Sequence, residues 1–393
     1  MNILTKTLHG IRYILNHLVL LTTAVVPRNR KMILFGAWKG DKFDDNPRML
    51  FEYIIQNHPE IKAYWISSNP NVVQDVLKRG YNAVNSHSWK AYCLALRARY
   101  VYFSLGYGDI GRNLIYCLGG CTLINSWHGI PLKKILNDDK ITRGDIGTLS
   151  KISNKIRQLV TPKSYVICTS ENFRKIYSSA FQTEEKKILN LGQARNDYFF
   201  REEINLYRNM YKGKTIIVYM PTHRKEGRVE INLKKILDLH EINQLCKKTN
   251  SVFLIKKHYY HRNDTPISRN YENICEITND NPDTMAVMST ADILITDYSS
   301  CFIDFLLLKR PVVFYCYDLK DYLINDREMY FKYDEIVPGP ICQTSLELSD
   351  TLYKILTGED MFVEKRKESL DFFYSKENQG IVSPRQIECI LQL

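Results

Sequence analysis

Short apolar runs rich in β-branched and aromatic residues recur along the chain with helix-like stretches between them, and this rhythm restricts the fold more than any other feature. The first series comprises Lys31–Ala37, Ile61–Ser67, Tyr100–Leu105, Thr122–Asn125, Tyr165–Thr169 and Ile188–Leu191. Helical segments such as Pro47–Gln56 and Asn71–Lys78 fall between them. Antiparallel neighbours need only a tight turn, whereas parallel strands need a crossover long enough to hold a helix. The alternation therefore predicts parallel sheets with helices on their faces. The polar stretch Arg201–Lys214 ends in a turn at Gly213. A second series then follows: Thr215–Met220, Val252–Lys256, Ile274–Ile277, Ile293–Thr296 and Pro311–Cys316. A chain of 393 residues exceeds the size at which one core keeps growing, which agrees with a split. The expected fold class is α/β, with domains at 31–210 and 211–375, a preceding segment 1–30 and a tail 376–393. Ligands of such sheets bind beyond the carboxyl ends of the strands, and here that means a cleft between the domains.

Composition narrows the partners. Hydrophobic residues at 45% and charged residues at 25% are globular values and exclude a mainly disordered chain. The excess of 54 Lys+Arg over 43 Asp+Glu suits an anionic partner: a phosphorylated substrate, nucleic acid or an acidic membrane surface. Aromatic residues are not interleaved with the basic ones as single-strand platforms require, which argues against nucleic acid. The ten cysteines contain no C-x-x-C pair and read as reduced, mostly buried thiols of a cytosolic protein.

The first acidic side chain is Asp41. Before it, Leu4, Leu8, Ile11, Ile14, Leu15, Leu18, Leu21 and Val25 fall on one side of a helix, and Leu20 and Tyr13 interrupt the pattern. The apolar run is shorter than the roughly 20 residues that span a bilayer, and no small-residue cleavage site follows it. An in-plane amphipathic helix on anionic lipid is expected, assisted by Arg28, Arg30 and Lys31, with a helix packed on the protein's own surface or a single weakly hydrophobic span as the alternatives.

Four clusters lie at strand ends. In Ile124–Ile135, INSWHGIPLKKI, His128 sits in the turn, Pro131 suits a first helical position, and Lys133 and Lys134 occupy the first turn of the expected helix. Lysines there oppose the helix dipole, which suggests an anion to hold or merely a solvated face. In Val218–Arg224, Thr222 and Arg224 follow a strand directly, where a guanidinium forks onto phosphate oxygens. In Leu254–His261, Lys256 and His258 share a face of an extended chain. The fourth, Ala291–Leu306, reads as strand, hydroxyl-rich turn and helix. Ser299 or Ser300 caps that helix, and Asp297 and Asp304 flank it. Neither a G-x-G-x-x-G nor a P-loop signature is present.

Taken in order, WHGIPLKK, GQARND, YMPTHR, KKH and TDYSSCFIDFLLLKRPVVFY resemble the CDP-glycerol:glycerophosphate glycerophosphotransferase family of teichoic acid primases and polymerases. Phe35-Gly36 with Asp45-Asn46-Pro47-Arg48 resembles that family's early turn, and the likeness covers roughly residues 31–375. Ala194 and Tyr259 stand where the family usually carries proline, and neither change removes a reactive group. The resemblance implies a GT-B-like fold and docking of a CDP-polyol, CDP-glycerol or CDP-ribitol, on the second domain. It also implies required roles for His128 and His258, and supports Arg224, Ser299, Ser300 and Asp304 as donor-site residues. Thr222, Lys256 and Asp297 join the expected donor set. Lys133, Lys134, Arg195, Asn196 and Asp197 form a secondary set.

The expected reaction transfers polyol phosphate to a hydroxyl of a lipid-linked acceptor and releases CMP, on the cytoplasmic face of a bacterial membrane. Whether Asp297 and Asp304 hold Mg²⁺ or only orient basic groups is left open by the sequence. A GT-B enzyme that transfers a sugar is the nearest alternative, and a basic nucleic-acid-binding protein is the alternative from another class.

Overall fold

The computed structural model describes residues 18–139, 164–201, 206–224, 231–257, 271–277, 283–325 and 328–393. Among them, β1 (Asn29–Gly36), β2 (Lys62–Ser67), β3 (Ala83–Asn85), β4 (Ala98–Phe103), β5 (Thr122–Asn125), β6 (Tyr165–Cys168) and β7 (Ile188–Asn190) form one parallel sheet. Its order is β3-β2-β1-β4-β5-β6-β7. A second parallel sheet contains β8 (Thr215–Tyr219), β9 (Ser251–Ile255), β10 (Ile274–Glu276), β11 (Ile293–Thr296), β12 (Val312–Tyr315) and β13 (Ile341–Cys342). It runs β10-β9-β8-β11-β12-β13. In both, the order reverses beside the first strand: between β1 and β4, and between β8 and β11. At such a switch point successive crossovers leave in opposite directions and a crevice opens at the carboxyl edge.

The apolar runs became strands because both faces of a parallel sheet are covered. Leu34, Phe35, Val101 and Tyr102 are fully buried in the first sheet, as are Ile217, Val218, Leu294 and Val313 in the second. Each such side chain contributes about 1.5–3 kcal/mol on burial. Local signals set the helix starts. Asp44 caps Asp45–Asn57, Ser88 caps Trp89–Arg97, and Thr344 with Glu347 forms a capping box on Ser345–Leu356.

The described residues fall into two compact units whose borders differ from the expected ones. Residues 18–128, 164–197 and 381–393 belong to the first unit, and residues 129–139 and 198–380 to the second. The expected tail is thus part of the first unit, where Ser383–Gln392 is a helix. The Gln386 amide of that helix donates to Gly192 O at 2.9 Å, and its Oε1 accepts from Tyr102 Oη at 2.9 Å.

Two further expectations are corrected. No helix begins at Pro131. Lys133 instead forms an antiparallel bridge with Met329, with Lys134 N donating to Glu328 O and Tyr330 N to Leu132 O. The strand-like pairing uses the backbone groups that a helix would need, so no unfavourable dipole faces the lysines. Arg28 is not a lipid-facing cation, because its guanidinium donates to the carbonyls of Thr23, Ala95, Cys117 and Gly119.

Most of the N-terminal segment lies outside the described residues, but Leu18–Thr23 is helical. Leu20, which interrupts the amphipathic pattern, is buried with Thr23 against the chain around Gly119. A side chain at Gly119 would strike Leu20 O. Leu21 and Val25, from the apolar stripe, are 68% and 84% exposed. No helix of the described residues is long and apolar enough to cross a membrane.

Candidate active site

In the first unit the His128 turn follows β5 and is held from three directions. Asn125 Oδ1 accepts from Trp127 N at 2.8 Å, which fixes Trp127 in a left-handed conformation at φ 54°. Asn46 Nδ2 donates to Trp127 O at 2.9 Å, while Asn46 Oδ1 accepts from Arg195 N at 3.0 Å. Arg195 Nη1 donates to His128 O at 2.7 Å and to Asp45 Oδ1 at 3.2 Å. The half-buried His128 ring packs on Trp127 at 4.2 Å and on Trp38 at 5.8 Å between centroids. A ring whose backbone is tied down and which packs against two indoles is suited to proton transfer, which demands position before pKa.

Asp45 is strained at φ 67°, and burial pushes its carboxyl up to about 6 although Arg195 pulls the other way. Its Oδ2 is buried without a hydrogen-bond partner among the described residues, which is why desolvation wins. The sequence marked Asp45 and Asn46 only as part of a motif. Their role was missed because two neighbouring side chains acting on loops far along the chain leave no local pattern.

Of the secondary set, Arg195 joins this turn and Asp197 does something else. The Asp197 carboxylate accepts from Val382 N at 2.8 Å and Ser383 N at 3.0 Å, satisfying open N–H groups where the helix Ser383–Gln392 begins. Asn196 is buried between them in sequence, its N donating to Gln193 O.

In the second unit, Thr222, Arg224 and Asp297 meet at the β8/β11 switch point. Asp297 is fully buried and its Oδ1 accepts from Thr222 N at 2.8 Å, Tyr298 N at 2.7 Å and the Thr222 hydroxyl. Arg224 does not present an open fork. Its Nε and Nη2 grip Asp318 at 2.6 and 3.0 Å, Nη2 lies 2.9 Å from Asp297, and Nη1 donates to Thr222 O. The rings of Tyr298, Tyr317 and Tyr322 lie 5.0–5.3 Å from the guanidinium. Burial alone would lower the Arg224 pKa, but Asp297 and Asp318 raise it on balance. The guanidinium expected to bind phosphate is thus engaged with the loop beside it.

Ser299 Oγ accepts from Cys301 N at 3.3 Å, so the cap falls on Ser299, and Ser300 makes no side-chain cap. Both serines stay half-exposed at the strand end. Asp304 points inward, where it accepts from Tyr374 Oη at 3.2 Å. The carboxylates proposed for Mg²⁺ are therefore engaged with N–H, hydroxyl and guanidinium donors. Among the described residues no group of three or more His, Cys, Asp or Glu side chains gathers as a metal site.

Lys133 lies 5.1 Å from the Tyr322 ring and Lys134 pairs with Glu328 at 3.0 Å. β9 ends at Ile255, Lys256 is half-buried just beyond it, and Lys257 pairs with Glu276 at 2.8 Å. His258 lies outside the described residues.

Two doubly wound parallel sheets, each with polar loops at its switch point, define a GT-B-like α/β protein. A family profile described as CDP-Glycerol:Poly(glycerophosphate) glycerophosphotransferase matches residues 18–392, and the chain belongs to that family. It is 27% identical to a teichoic acid glycerol-phosphate transferase of Staphylococcus aureus, over 97% of this chain and 99% of that protein. It is 28% identical to a teichoic acid poly(glycerol phosphate) polymerase of Staphylococcus epidermidis over 88% of this chain. The chain spans about half, 48%, of that polymerase. The solved wall teichoic acid polymerase TagF superposes with a TM-score of 0.77 at 26% identity, covering 99% of this chain and 97% of that one. A variant of TagF has also been solved after a soak with CDPG.

Proposed function

We propose that the protein transfers glycerol phosphate from CDP-glycerol to a hydroxyl of a membrane-linked acceptor in teichoic acid synthesis. The observation that carries this reading is the fixed His128 turn in a chain matched over residues 18–392 by a glycerophosphotransferase profile. His128 takes the proton of the acceptor hydroxyl. The acceptor oxygen bonds to the glycerol-bearing phosphorus, the bond from that phosphorus to the CMP phosphate oxygen breaks, and CMP departs with the electron pair. Such transfers depend on positioning and charge neutralisation. In this reading the β8/β11 loops bind the donor. Ser299 and Ser300 offer hydroxyls, Lys256 and His258 supply charge, and Thr222 and Arg224, both bound to Asp297, keep the loop in shape.

The same reading places the protein at the cytoplasmic face of the membrane. The exposed Leu21 and Val25, with the exposed Arg30 and Lys31, support peripheral contact with anionic lipid.

The test supplies purified protein with a lipid-linked acceptor and CDP-glycerol labelled at the glycerol-bearing phosphorus. Label in the lipid product with equimolar CMP is expected. Retention of the label on the nucleotide would overturn the reaction.

A further inference from the structure

The crevice at the β1/β4 switch point is distinct from the His128 turn, and no ligand has so far been assigned to it. A cavity of about 630 Å³ opens there, walled by Lys39 after β1, His87 after β3, and the segment from Leu105 to Arg112 after β4. Its floor is tightly built. The buried Asp109 carboxylate accepts from Lys39 N at 2.7 Å, Ser104 N at 2.9 Å and Leu105 N at 2.7 Å. This ties the loop after β1 to the loop after β4. Trp38 and Lys39 are thereby held at φ 51° and 58°, a conformation that non-glycine residues keep only when their surroundings over-determine it. At Gly111, φ 104°, a Cβ would lie 2.7 Å from Ser86 Cβ, so the wall can be made only without a side chain.

The strained turn has a consequence for placement. Trp38 packs on the His128 ring at 5.8 Å, and the next residue, Lys39, lines the cavity. Two consecutive side chains thus connect the imidazole to the cavity within one unit. The charge is one-sided as well. Burial raises the Asp109 pKa and backbone N–H groups oppose the rise, so its charge is met from within the floor. Lys39, His87 and Arg112 are exposed, and none has an ion pair among the described residues. Other basic side chains do: Lys134 with Glu328, Lys257 with Glu276, and Arg208 with Asp292.

We propose that this cavity is the subsite for a phosphate group carried by the acceptor. Lys39 and Arg112 hold the phosphate of the acceptor's polyol phosphate terminus, with Ser68 at hand for its hydroxyls. The attacking hydroxyl is thereby presented to His128. The inference rests on the transferase reading above and names the acceptor class that such a reaction takes.

The test compares the full chain with the double variant Lys39→Gln, Arg112→Gln. A control, Lys78→Gln, removes an exposed charge from the outer helix Pro70–Lys78. Two lipid-linked acceptors are used, one ending in glycerol phosphate and one ending in a neutral hydroxyl. For the double variant, KM for the phosphate-bearing acceptor is expected to rise about tenfold or more per lost charged hydrogen bond. Its kcat, its KM for CDP-glycerol and its use of the neutral acceptor should stay near the parental values. Glycerol 3-phosphate should inhibit the parent competitively against acceptor, inorganic phosphate should inhibit more weakly, and the double variant should resist both. An equal KM rise for both acceptors, or a rise confined to CDP-glycerol, would overturn the subsite. So would inorganic phosphate inhibiting as strongly as glycerol 3-phosphate, since a bare anion site needs no acceptor. Calorimetric titration with glycerol 3-phosphate, without turnover, reads the subsite even if the labelled-phosphorus assay rejects the reaction. Heat from the parent that is lost in the double variant supports the subsite; heat equal in both sinks it.

Discussion

Asn46 holds two loops with one carboxamide, and its replacement should separate position from binding. Asn46→Ala leaves Trp127 O and Arg195 N without that partner in a buried place, at a cost of about 1–3 kcal/mol for each group. We expect kcat to fall while KM for CDP-glycerol moves little; a loss confined to KM would contradict the positioning role. His128→Ala should lower turnover by about 10²–10⁴-fold with donor binding kept, as for the loss of a general base. Parental turnover would refute the assignment. Asp45 gives a pH signature. Its native pKa of about 6 exceeds the ordinary 3.8, so the folded state binds more protons between those values and stability falls as pH rises through them. Asp45→Asn keeps a side chain that tolerates the left-handed backbone and removes the titration. The variant should therefore gain on the parent by up to about 3 kcal/mol between pH 4 and 7, read from denaturant melts. Histidine, arginine and serine at strand ends were visible in the sequence because their chemistry announces itself. What each touches was not: the Arg224 guanidinium closes on Asp318, 94 residues further along the chain, and no local pattern pairs the two.

At the scale of elements, strands were legible wherever both faces are buried, since continuous apolar runs such as Ile293–Thr296 carry their own signal. β3 and β13, of three and two residues, were not; they exist because a neighbouring strand supplies hydrogen bonds, and so short a run has no period. The missing helix after Pro131 has a related cause. A proline and two lysines favour a helix start only weakly, and pairing with residues 328–330 outweighs that preference. Helix ends are more predictable. Asp197→Ala leaves Val382 N and Ser383 N without their carboxylate, and should destabilise the first unit by about 0.5–2 kcal/mol. Hydrogen exchange localised to residues 381–393 would identify the lost cap, whereas uniform acceleration would point to a wider role. All ten cysteines are free, and burial lifts Cys121 to about 11 and Cys168 to about 12. The exposed Cys93 should accordingly be alkylated first.

For the whole molecule, chain order and unit membership differ. The helix Ser383–Gln392 is the last element in sequence yet belongs to the first unit, where it meets β4 through Tyr102. A fragment ending at residue 210 should therefore be poorly folded, and the same fragment with residues 376–393 fused back should recover a cooperative melt. Equal melts would show the helix to be dispensable. Leu21→Ser with Val25→Ser should weaken sedimentation with anionic liposomes while leaving the thermal midpoint unchanged, because both side chains are exposed. The two sheets also solve one mechanical problem in one way. Asp109 staples the loops after β1 and β4, Asp297 staples those after β8 and β11, and each does so with backbone N–H donors. A lineage can therefore exchange the tips of these loops, and with them its choice of ligand, while the staples hold the loop bases of each sheet in place; hybrid loops transplanted between relatives should be grafted outside the staples, never across them.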